Sequence, residues 1–399
     1  MKPNRNFPGR KGGASVPRFK FCEIVNNIRE SRAPTPADEA SYIGLEHLDS
    51  GSLFVSRWGS DVPLKGNKLQ MKKGDLLFGK RNAYLRRAAI APHDGLFSAH
   101  GMVFRPNVKV IDERLFPFFV GSDAVFDAAI RISVGSLSPT VNWRDLAELE
   151  FELPPLEVQP VIAEKLWAAN ETRESYKRLL SIIDNLVKSQ FVEMFGDPVE
   201  NPKGWKVKKL ACCLSTIDSG TSMICHTEPR KGVYPGILKL SAVTGGLFKS
   251  SENKALLDPD KFIASDEVRF GDLLFTRKNT PELVGCAALV EEEVHALMMP
   301  DTVFRLNTLE SCSKVFLRDL INHPHFRTSI QKLAGGSAKS MSNISKERLS
   351  DLNIFLPPRH LQDRFAAFVA AADKSKFAVR QLLTKRVNWI RMLAKMAFG

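Results

Sequence analysis

From Ile162 onward the apolar residues fall at alternating steps of four and three: Ile162, Leu166, Ala169, Tyr176, Leu180, Ile183, Val187 and Met194, interrupted by Arg173 and Gln190. Adding 203 to each number finds a second stripe, Phe365, Val369, Ala372, Val379, Leu383, Ile390, Leu393 and Ala397, interrupted by Lys376 and Arg386. A mean spacing of 3.5 residues is the seam of a coiled coil. Leu-Pro-Pro precedes each stripe, at 153–155 and 356–358, and proline forbids an earlier helical start. The first stripe ends near Phe195, before the helix breakers Gly196, Asp197 and Pro198. A helix of this length reaches roughly 55 Å. Apolar on one narrow stripe only, it requires a partner of the same kind, and the other copy is the expected one.

Ahead of each stripe the texture changes to short apolar runs separated by Gly, Pro and Asp. SYIGLEHL, DLLFGK, AAIAP and GMVFRP read as strands before the first stripe, followed by the helical run ERLFPFFVGSDAVFDAAIRI. GILKLSAV, DLLFTR, CAALVE and TVFRLN, then SKVFLRDLINHPHFRTSIQKLA, precede the second. The matches keep their order at a slowly growing separation. Gly74 of GDLLF recurs at Gly271, Val103 of VFR at Val303, and Leu153 of LPP at Leu356, which are 197, 200 and 203 residues on. Such order implies an internal duplication. The expected fold is α/β (α+β): two similar mixed domains joined by two long antiparallel helices in a coiled coil. The expected boundaries are 1–155, a first head; 156–197, a long helix; 198–355, a second head; and 356–399, a second long helix.

With 399 residues the chain has room for two or three cores. Its net charge of +13 suggests an acidic partner, nucleic acid or a membrane surface. No apolar run approaches the roughly 20 residues needed to cross a bilayer, and the basic opening stretch lacks the apolar centre of a secretory leader. A cytoplasmic location is therefore expected. Six cysteines without CxxC spacing read as reduced, mostly buried thiols and not as a zinc site or a disulfide framework.

Motifs for catalysis are missing. There is no G-x-x-x-x-G-K-[ST] phosphate loop, no strand-borne glycine-rich nucleotide fingerprint, and no NPPY-like methyltransferase motif, since both Pro-Pro pairs sit at helix starts. His323 and His325 flank Pro324 and read as a surface turn, not a metal pair. Asp301 lacks the acidic-x-Lys sequel of a nuclease, and the serines near Asp218 lack nucleophile-elbow spacing. No catalytic or metal residue is assigned.

What remains are the basic clusters that end the repeated GDLLF strands. Lys80, Arg81 and Asn82, with Arg86 and Arg87 nearby, follow the first, and Arg277, Lys278 and Asn279 follow the second. Arg pairs with guanine and Asn with adenine through two hydrogen bonds, so a strand end presenting them suits duplex DNA. The alternative for any one residue is a solvated strand end. The 335–340 stretch, GGSAKS, adds Ser337 and Lys339, whose backbone and charge suit phosphates; a plain connecting loop is the equal alternative. Lys206, Lys208 and Lys209 read as flanking a strand. The aromatics sit in apolar runs and read as core, which favours duplex over single-stranded nucleic acid.

In order and duplication, GDLLFGKRN and GDLLFTRKN, the helix entries LPPLEVQ and LPPRHLQ, and FVEMFGDP after the first stripe resemble the specificity subunit of type I restriction-modification enzymes. Val158 and Leu361 stand where that family usually has an acidic residue before the Gln. The resemblance implies that each head reads one short block of duplex DNA and that the coiled coil sets the gap between blocks. It also implies docking of two methyltransferase subunits and of restriction subunits. The chain itself would hold no cofactor and perform no catalysis, while its partners would use S-adenosylmethionine, ATP and Mg2+. The rival is a coiled-coil scaffold that binds nucleic acid without sequence preference, with affinity falling steeply in salt.

Overall fold

The computed structural model describes residues 17–335 and 341–399. Contacts divide the chain into two compact units, Met1–Arg178 with Arg380–Gly399, and Leu179–Val379. Each is a mixed α/β arrangement.

In the first unit a four-stranded antiparallel sheet runs in the order Val25–Ile28, Met102–Pro106, Leu76–Phe78, Ala88–Ile90. The second unit has Leu214–Ser219, Val303–Thr308, Leu273–Thr276, Ala287–Leu289 in the matching order. Short helices follow, Phe116–Val120 and Asp123–Arg131 in one unit, Lys314–Asn322 and Pro324–Lys332 in the other. Each unit is closed by an antiparallel pair, Arg18–Lys20 with Glu150–Glu152 and Val207–Lys209 with Asn353–Phe355. The expected strands thus form at DLLF, AAI and VFR, and Lys208 and Lys209 lie in a strand. SYIGLEHL does not form one: short 3-10 turns at Pro36–Ser41 and Leu45–His47 leave only an isolated bridge from Ile43 to Phe97. GILKLSAV is a strand only over Gly236–Leu238.

The phenylalanines make the cores, as the apolar runs suggested. Phe21, Phe78, Phe104, Phe119 and Phe126 are buried together in the first unit, and Phe275, Phe304, Phe316 and Phe355 in the second. Two long helices, Gln159–Phe195 and Arg359–Phe398, contribute to both units. Every residue of both seams is buried or half-buried. In the first unit Ile162 and Leu166 share a core with Leu393 and Ala397. In the second, Phe365 packs on Phe191 and Phe195 while Lys376 pairs with Asp184 at 3.1 Å, so the helical segments there run antiparallel.

Two of the polar interruptions, Arg173 and Lys376, are buried and paired. Arg173 donates to the Gly51 carbonyl at 2.9 Å and meets Glu174 at 2.9 Å. Lys376 meets Asp373 at 2.5 Å as well as Asp184. Burial opposes its charge, but the two carboxylates win and raise its pKa. The thiols depart from the sequence reading: Cys213, Cys286 and Cys312 are buried, but Cys22 and Cys212 are exposed. So does His323, which is buried at the junction of two helices. No helix among the described residues is long and apolar enough to cross a membrane.

Candidate nucleic-acid interface

The repeated GDLLF is first a folding device. Gly74 and Gly271 adopt φ of 91° and 82°, which suits glycine because it has no Cβ. The next residue then turns its carboxylate back: Asp75 accepts from the Lys72 N–H at 2.8 Å and Asp272 from the Arg269 N–H at 2.9 Å. Each also holds the arginine of VFR on the neighbouring strand, Asp75 with Arg105 at 2.6 Å and Asp272 with Arg305 at 2.9 Å. Leu76, Leu77 and Phe78 are buried, as are Leu273, Leu274 and Phe275. The repeat is explained by folding alone. Function has to lie in what it carries outward.

Beyond Phe78 the chain leaves the sheet and is met by the 134–140 loop. Val134 and Thr140 exchange backbone hydrogen bonds of 3.0 and 2.9 Å, and Thr140 bridges Arg81. Lys80 accepts from the Val141 N–H at 2.9 Å, and the Asn82 N–H donates to Pro139 at 2.7 Å. Arg81 is exposed, with its guanidinium on the Ser138 hydroxyl at 3.1 Å. Asn82 sits at φ 55° before a short 3-10 turn, a left-handed conformation that Asn tolerates. Its buried amide oxygen has no hydrogen-bond partner.

The charges of this cluster divide into free and committed. Lys80 and Arg87 make no side-chain hydrogen bond or ion pair among the described residues, although Arg87 lends its carbonyl to Gly79 at 2.9 Å. Arg86 is committed: it pairs with Asp123 at 2.8 Å and with Asp127. His100 reports the local field. Burial is the main force lowering its pKa, and Arg81, Lys80 and Lys68 all push the same way.

The second unit builds the same junction differently. Lys278–Asn279 pairs with Ser342–Asn343, and Gly335 bridges Asn343, so a second segment again backs the strand end. Here the cations are engaged. Arg277 lies 4.9 Å from the Phe304 ring centre and contacts the Asn343 amide oxygen at 3.3 Å, while Lys278 pairs with Asp301 at 2.8 Å. Asn279 donates to the Thr244 hydroxyl at 3.0 Å. Lys346 approaches the same Phe304 ring at 5.8 Å. Ser337 and Lys339 lie outside the described residues.

The sequence reading missed the 134–140 loop, Lys68, His100 and Lys346. One signal was available: Gly135-Ser136 precedes Gly336-Ser337 by 201 residues, within the drift of the repeat.

Residues 25–182 match the family model described as the type I restriction modification DNA specificity domain. The EcoEI type I restriction enzyme specificity subunit of Escherichia coli is 30% identical over 168 residues, 41% of this chain and 28% of that protein. The EcoKI specificity subunit of E. coli strain K12 is 25% identical over 317 residues, 74% of this chain and 65% of that protein. The chain therefore spans less than two thirds of the length of these curated relatives. Among solved structures, the S subunit of the type-I restriction-modification system from M. genitalium matches with a TM-score of 0.56 at 12% identity, covering 96% of each chain. That likeness is one of fold.

Proposed function

Since residues 25–182 match the model of the type I restriction modification DNA specificity domain, we propose that the chain is the non-catalytic specificity subunit of such a complex and reads a two-part site in duplex DNA. One observation carries this role: each unit pairs the basic end of its GDLLF strand with a second segment, Arg81 with Thr140 and Lys278–Asn279 with Ser342–Asn343. In the first unit Lys80 and Arg87 are not ion-paired among the described residues, and Arg81 is exposed. Free cations at an ordered strand end supply phosphate contact, and Arg81 is the residue suited to a base edge.

The long helices pair along their seams as a coiled-coil spacer between two duplicated recognition domains, 1–155 and 198–355, with helices over 156–197 and 356–399. An outward stripe of Leu179, Ile182 and Leu186, which are 40, 60 and 51% exposed, supports the docking of two methyltransferase subunits, to which restriction subunits add. S-adenosylmethionine, ATP and Mg2+ belong to those partners, and the complex works in the cytoplasm.

The test is a map of methylated adenines across the genome with and without this gene. A bipartite motif that vanishes with the gene is expected; an unchanged map overturns the role. Affinity for all duplexes alike would instead make the chain a scaffold without sequence preference.

A further inference from the structure

Leu137, in the middle of the 134–140 loop, is 96% exposed. The loop is nevertheless fixed. Its base is closed by the Val134–Thr140 hydrogen bonds, its flank by Arg81 on Ser138 and Asn82 on Pro139, and Thr140 donates to the Ser138 carbonyl at 3.1 Å. A lone exposed leucine is ordinary on a protein surface, but one held out on an ordered loop is placed to gain from a partner that covers it. Beside it stand Lys80, free of ion pairing among the described residues, and the exposed Arg81. The missing cover is thus anionic on its surface and apolar within. Duplex DNA has that construction, phosphates outside and stacked bases inside, and proteins that deform it push apolar side chains between base steps. A protein partner fits less well, because one loop tip between Ser136 and Ser138 offers far less area than a stable protein interface requires.

We propose, resting on the DNA-reading role above, that Leu137 is a wedge that enters a base step within one block of the site. Lys80 holds a flanking phosphate while the step opens, and Arg81 keeps its base edge beside it.

The full chain is used to select duplexes from a random-sequence library, and the recovered duplex is remade with 2-aminopurine at successive positions. This probe brightens when unstacked. The parent chain should brighten one step within one block. Leu137→Ala should return that step to the level of free duplex and weaken binding roughly fivefold. Leu137→Phe should keep the signal. Absence of brightening in the parent complex, or brightening that survives Leu137→Ala, overturns the wedge while leaving DNA reading intact. If Leu137→Ala changes only assembly with other proteins, the loop is a protein contact and the wedge is likewise overturned. Recovery of no preferred duplex, with Arg81→Ala behaving as the parent, overturns the DNA-reading role and the wedge together.

Discussion

Arg81 and Arg86 lie five residues apart in a cluster that looks uniform in the sequence, yet the fold gives them different surroundings. Arg86 faces Asp123 and Asp127, so its charge is already matched. Among the described residues, Arg81 touches only a neutral hydroxyl through its side chain. Arg81→Ala should therefore relax the bases accepted in one block by about 1 to 3 kcal/mol per contact, while Arg86→Ala should leave the selected sequence unchanged. Selection of bound duplexes with each variant checks this; equal weakening on every sequence would reduce Arg81 to a phosphate contact. The difference was not legible in the sequence, because Asp123 and Asp127 belong to a helix some 40 residues on and nothing in local spacing announces the pairing. The role of Asp75 and Asp272 was hidden for the same reason. Their partners Arg105 and Arg305 lie on another strand, so a pattern quoted as a single motif is half of an ion pair. Asn82 shows a nearer limit: a left-handed backbone leaves no periodicity to read.

The long helices were the most legible elements, because a 3.5-residue stripe survives any detail of packing, and all seam positions are covered as the spacing required. Arg173 and Lys376 looked like flaws in the stripe. They are buried cations with partners, placed alike in both helices. Less legible was how each helix is attached to its head. The Gln159 amide oxygen accepts from the Asp112 N–H at 2.7 Å, and its nitrogen donates to Val110 and Pro154 at 3.1 and 2.9 Å. Gln362 makes the matching set, with Ser313 at 2.8 Å, Ser311 at 3.2 Å and Pro357 at 2.8 Å. Only a side chain with both donor and acceptor ends meets all three needs, so the Gln of each LPP entry is a lock between head and helix. Gln159→Leu strands three backbone groups and should cost about 3 kcal/mol, read as a lower urea midpoint. Gln159→Glu should not rescue it, since a carboxylate cannot donate to two carbonyls. A leucine variant as stable as the parent would show that the lock contributes nothing.

For the molecule as a whole, the proposed spacer makes a geometric demand. A heptad occupies two helical turns, so removing one from each long helix returns every remaining seam residue to its face. The Lys376–Asp184 pair aligns the helices within the second unit. It thereby names the segments to remove, 176–182 from the first helix and 377–383 from the second. Seven residues at 1.5 Å shorten a helix by about 10 Å, and duplex DNA rises about 3.4 Å per base pair. The gap between the two blocks should therefore contract by about three base pairs, while the bases within each block stay the same because neither head is altered. Three base pairs also turn the second block by roughly a third of a helical repeat, so affinity should fall until the protein or the duplex twists to meet it. Selection from a random duplex library with the shortened chain reads both quantities at once. An unchanged gap would mean that the helices do not measure the site. Altered bases within the blocks would mean that the deletion had reached the heads.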